Sequence, residues 1–84
     1  VIHWRVLTRD DCPLCEEFLV EWQRLLADPT LPPLHGAVQS VDDDPRDQRR
    51  YGLKIPVLLC NGELMASGHL DPADLKRRLS QLGG

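Results

Sequence analysis

The stretch Arg9-Asp10-Asp11-Cys12-Pro13-Leu14-Cys15-Glu16-Glu17-Phe18 joins two segments of different hydrophobic period, and its reading decides the fold. Before it, Val1 to Thr8 (VIHWRVLT) is rich in β-branched and aromatic residues and alternates in part, the pattern of a strand. After it, Cys15, Phe18, Leu19, Trp22, Leu25 and Leu26 recur at helical spacing and make one apolar stripe. Glu16, Glu17, Glu21 and Arg24 occupy the opposite face. Pro13 falls in the first helical turn, where its missing N–H costs nothing, and Asp28-Pro29 closes the helix. Two cysteines therefore sit where a strand turns into a helix. The free N–H groups of that helix start favour a thiolate on Cys12. Cys15 belongs to the buried stripe. An exposed, ionisable sulfur beside a shielded one suits disulfide exchange: Cys12 attacks a disulfide, and Cys15 then releases the product. Asp10 and Asp11 oppose the thiolate while Arg9 favours it, so the thiol should be less acidic than in strongly oxidising proteins of this chemistry.

Further along, Pro29 to Gly36 reads as a proline-rich connection and Ala37 to Asp42 as a short strand. Asp44-Pro45 caps a short helix running to about Tyr51, with Gly52 as its stop. Ile55 to Cys60 reads as a buried strand with a proline at its entry. Asn61-Gly62 is a strong hairpin signal, returning the chain through Glu63 to Ser67. Asp71-Pro72 opens a last helix with Leu75, Leu79 and Leu82 on one side, and Leu70 and Leu75 are placed as a staple across its start. The order is strand, helix, strand, helix, strand, strand, helix. Its first three elements form a βαβ unit and its hairpin an antiparallel pair, so an α/β domain with a mixed sheet is expected over residues 1–84.

A chain of 84 residues with net charge −3, 42% hydrophobic and 27% charged, fits one small globular domain. The negative charge argues against nucleic acid, which needs a basic face. The longest apolar run, Ile55 to Cys60, is far below the ~18 residues of a membrane span. No segment has the blocks of a secretory signal. The chain opens at Val1, so part of a native N-terminus is expected to precede it. Three cysteines are too few for a disulfide framework and fit a reducing compartment, the cytoplasm.

With these elements in place, the chain resembles the thioredoxin fold, and more closely the small glutaredoxin-like proteins of bacteria. The likeness rests on Cys12-Pro13-Leu14-Cys15, Ile55-Pro56-Val57 and Ser67-Gly68-His69-Leu70-Asp71. These are similar to the C-P-Y-C, T-V-P and G-G-x-x-D motifs of glutaredoxins. The resemblance implies a βαβ-α-ββα order with a four-stranded mixed sheet flanked by helices, Cys12 as nucleophile and Cys15 as resolving thiol. It also implies a cis Ile55–Pro56 bond whose exposed backbone an extended substrate would join like an added strand. For glutathione, it implies Arg9 at a carboxylate, with the Val57 backbone and the Gly68 to Asp71 turn meeting the rest. Implied partners are disulfide-containing proteins and a reductant, either glutathione or a thioredoxin-reductase-type protein. No bound cofactor and no metal is expected, and a monomer is. Leu14, Ser67 and Leu70 depart from the family pattern, and Asp10 and Asp11 repel an anionic tripeptide.

Other readings stand beside these. C-x-x-C alone also occurs in zinc and iron–sulfur sites, but Cys60, His3, His35 and His69 lack ligand spacing. A non-catalytic binding module on the same fold is the remaining alternative. Arg9 would equally serve as an ion-pair partner for Asp10 or Asp11. Arg46, Arg49, Arg50 and Lys54 would either compensate the acidic residues at the site or form a solvated basic face. Trp4, Trp22 and Cys60 read as core.

Overall fold

The computed structural model describes residues 1–83. Strand β1 (Ile2–Thr8) leads into helix α1 (Pro13–Leu26), followed by β2 (Leu34–Ser40) and a 3-10 turn at Val41–Asp43. Helix α2 (Pro45–Tyr51), strands β3 (Val57–Cys60) and β4 (Glu63–Ser67), and helix α3 (Pro72–Gly83) complete the order. The sheet runs β2-β1-β3-β4, with β1 and β2 parallel and the other pairs antiparallel. This is the α/β mixed sheet expected from the motifs.

Alternation along β1 divides the core between the two faces of the sheet. Ile2 and Val6 join Phe18, Trp22 and Leu25 of α1 and Leu75 and Leu79 of α3 in the larger cluster. Leu7 points the other way and packs with Val41, Val57, Leu59 and, from α2, Tyr51. Each fully buried aliphatic side chain stabilises by roughly 1.5–3 kcal/mol relative to exposure. Leu70 and Leu75 share the larger cluster, as the staple reading requires. Trp22 is buried, whereas Trp4 is half-buried and meets the Trp22 ring edge-on at 5.4 Å.

Strands β2 and β3 take bounds other than those of the sequence reading. β2 begins at Leu34, not Ala37, and ends at Ser40, after which the chain tightens into the 3-10 turn. Parallel pairing with β1 starts at Ile2↔Leu34 and draws in His35 and Gly36, which propensity alone assigns to a connection. Gly36 is the residue that permits it, because a Cβ there would collide with the carbonyl and ring of Trp4. β3 begins at Val57, so Ile55 and Pro56 lead into the ladder instead of belonging to it. Asn61 and Gly62 both have positive φ, +52° and +82°, and make the two-residue turn between β3 and β4. Gly52 does end α2, but with right-handed backbone. Its glycine is needed for space, since a Cβ would strike the Gln48 carbonyl.

Candidate redox site

Three loops meet at one end of the sheet. β1 leaves the sheet at Thr8 and turns through Arg9–Cys12 into α1. The antiparallel pair Leu7↔Val57 brings the entry of β3, Ile55–Pro56, to that end. Pairing of Val57 with Ser67 then brings the turn at Gly68 there too. The Gly68 N–H donates to the Pro56 carbonyl at 2.8 Å, and the Ser67 hydroxyl donates to the Lys54 carbonyl at 2.7 Å. These bonds tie two of the loops together. The Ile55–Pro56 peptide bond is cis. Among the described residues no backbone hydrogen bond uses the N–H or C=O of Ile55.

Cys12 is the N-cap of α1. Its backbone is extended (φ −116°, ψ 96°), and its Sγ accepts a hydrogen bond from the Cys15 N–H at 3.2 Å. A sulfur here takes the place that a serine or aspartate oxygen occupies at other helix starts. Asp11, just before it, has left-handed backbone with φ +56°, which turns the chain from strand to helix. Cys12 and Cys15 form a disulfide with Cα atoms 5.2 Å apart. Cys12 is half-buried and Cys15 is 2% exposed, the asymmetry expected from the helical stripe. Between them Leu14 is 56% exposed.

Arg9 is tied to the 3-10 turn and to the end of α2. Its Nε and Nη2 donate to the two carboxylate oxygens of Asp42, both at 2.9 Å, and its Nη1 donates to the Gly52 carbonyl at 3.3 Å. The guanidinium holds the Asp42 carboxyl below the usual carboxylate range, helped by a hydrogen bond from Gln48. Its ion-pair partner is thus Asp42, not Asp10 or Asp11, and the side chain stays 41% exposed. Asp42 and Gly52 were not legible as partners, since nothing in the sequence marks a contact across 33 or 43 positions. Asp71 caps α3, accepting from the Asp74 N–H at 3.2 Å. Arg46 pairs with Asp44, and Arg5 with Asp47. Cys60 pairs with Trp4 at the opposite end of the sheet, and burial pushes its thiol up to about 11.

A family model described as Glutaredoxin-like domain (DUF836) matches residues 5–80. The chain belongs to this family. Within the glutaredoxin-like domain, the matched region takes in the Cys12–Cys15 pair, the cis proline and the Gly68 turn. Solved structures agree on the fold. A structural-genomics target protein from X. campestris is 24% identical, with a TM-score of 0.70 over 93% of this chain and 96% of that one. A thioredoxin variant from Halobacterium salinarum is 20% identical, with a TM-score of 0.66 over 99% of this chain and 75% of that one. The oxidised thioredoxin of Plasmodium falciparum is 11% identical, with a TM-score of 0.62 over 99% and 82%. No curated protein matches the chain. The glutaredoxin-like domain has, among its described residues, no helix long and apolar enough to cross a membrane.

Proposed function

We propose that this glutaredoxin-like domain is a thiol–disulfide oxidoreductase that reduces disulfides of protein substrates in the cytoplasm. The observation that carries the reading is Cys12 as N-cap of α1, bonded to a buried Cys15. In the reduced protein, the free N–H groups at the helix start favour the Cys12 thiolate. That thiolate attacks one sulfur of a substrate disulfide. A mixed disulfide forms, and the other substrate sulfur leaves as a thiolate that takes a proton from water. Cys15 then loses its proton and attacks the Cys12 sulfur, expelling the second substrate thiolate. The pair ends as the Cys12–Cys15 disulfide, having passed two electrons to the substrate.

A thiol reductant, glutathione or a thioredoxin-reductase-type protein, returns those electrons. Ile55 offers an unpaired backbone edge beside the site, to which an extended substrate segment would bond like an added strand. Pro56, Val57, Gly68 and Asp71 shape that wall. For Arg9, contact with a glutathione carboxylate competes with Asp42, which already takes two of its donors.

The test is reduction of a protein disulfide with dithiothreitol as electron source. Cys12→Ser should abolish turnover, and Cys15→Ser should accumulate a mixed disulfide visible by mass spectrometry. Full turnover by the Cys12→Ser protein would overturn the reading.

A further inference from the structure

Beside Leu14 runs a groove of about 130 Å³ that shares Gly68 with the proposed substrate wall and whose α1 side no step above uses. It begins at Leu14, between the two cysteines, and ends at the turn carrying His69 and Leu70. Leu14, Phe18 and Leu70 give it an apolar lining, and Glu17 and Glu21 on successive turns of α1 line it as well. Leu14 is more than half exposed although it is apolar, and Leu53, in the loop before the cis proline, is fully exposed. Apolar side chains held out on the first turn of α1 and on the loop before the cis proline suit contact with another chain.

The charges around this groove are one-sided. Asp10 and Asp11, next to Cys12, and Glu16 and Glu17 form no ion pair among the described residues, while Glu21 shares its carboxylate with Arg24 at 3.0 Å. Among the described residues no lysine or arginine lines the groove: Arg9 is held by Asp42, and Arg46, Arg49 and Arg50 lie on α2, which packs through Tyr51 on the other face of the sheet. Lys54, before the cis proline, is a cation without an ion-pair partner among the described residues. A cleft bordered by several charges of one sign concentrates the opposite sign, and the effect fades with salt.

We infer that the groove beside Leu14 selects protein disulfides flanked by cationic and apolar residues, and disfavours anionic small disulfides such as oxidised glutathione. This deepens the oxidoreductase reading and rests on it. The substrate's apolar residue lies along Leu14 and Leu70, and its cation meets Glu17 and Glu21. Oxidised glutathione brings carboxylates and no apolar side chain to the same place.

The experiment compares three peptides with one disulfide and a common core, flanked by lysines, by glutamates or by serines, together with oxidised glutathione. Each is reduced by the full chain with dithiothreitol as electron donor at pH 7.5. In low salt, kcat/KM should favour the lysine over the glutamate peptide by about tenfold, falling to about twofold near ~0.5 M salt, with glutathione disulfide among the poor substrates. In the E17Q/E21Q variant the low-salt ratio should fall to about threefold. Equal rates for the charged peptides, a glutamate preference or a salt-independent ratio, with the serine peptide still turned over, would overturn the inference and leave the oxidoreductase reading intact. An unchanged ratio in E17Q/E21Q would overturn the assignment to this groove. Failure to reduce even the serine peptide would overturn both.

Discussion

Reducing the Cys12–Cys15 disulfide should lower the stability of the folded chain by an amount that the loop it closes sets. The cysteines are three positions apart, and their Cα atoms stand 5.2 Å apart, within the normal range for a disulfide. The crosslink therefore asks little of the native structure and acts by restricting the unfolded chain. For a loop of about four residues, the chain-entropy relation gives about 2 kcal/mol at 25 °C. For a domain of this size, that shifts the melting temperature by about 8–16 °C. The assay is thermal unfolding by circular dichroism of the oxidised protein and of protein reduced with a phosphine. A Cys12→Ser, Cys15→Ser double variant should melt with the reduced form. If the oxidised and reduced proteins melt together, or the reduced form melts higher, the fold does not hold the two cysteines ready to bond.

Three further outcomes bear on the scaffold. Leu79 is fully buried in the larger cluster, so Leu79→Ala should cost about 2–5 kcal/mol in chemical denaturation, and a cost under about 1 kcal/mol would mean that α3 is not packed as described. Gly62 has φ +82° with open space around it, so Gly62→Ala should cost about 1 kcal/mol from backbone conformation alone, and no cost would contradict the turn geometry. Asp28, hydrogen-bonded to Lys76 and then to Thr30, has its carboxyl lowered from 3.8 to about 2. A lowered carboxyl contributes stability above its ordinary range, so this contribution is complete above about pH 4 and lost as pH falls through about 2. Lys76→Met should move the Asp28 titration upward by NMR, and an unmoved titration would show that the pair does not form.

Legibility in the sequence followed the range of the interaction. Local signals gave their elements: Pro13 and the apolar stripe for α1, Asp44-Pro45 for α2, and Asn61-Gly62 for the hairpin. The burial of Cys15 followed from helical period, and the cis bond before Val57 from the family likeness. Contacts that depend on tertiary pairing did not show. The start of β2 at Leu34 is fixed by β1 lying alongside, and its weak strand formers, His35 and Gly36, conceal it. The ion-pair partner of Arg9 did not show either: the 3-10 turn after β2 carries Asp42 to it, a meeting only the closed sheet creates. The groove at Leu14 was hidden for the same reason, because one wall comes from α1 and the other from the turn after β4.

The proposed chemistry needs one sulfur presented and ionisable at a helix start while its partner waits beneath it. The most direct measurement is timed alkylation of the reduced protein at neutral pH, with the modified cysteine located by mass spectrometry. Cys12 should be labelled at least about tenfold faster than Cys15, and Cys60, buried with its thiol pushed up to about 11, should stay unlabelled until the protein unfolds. Labelling of Cys15 at the same rate as Cys12, or ahead of it, would contradict the division of roles between the two sulfurs.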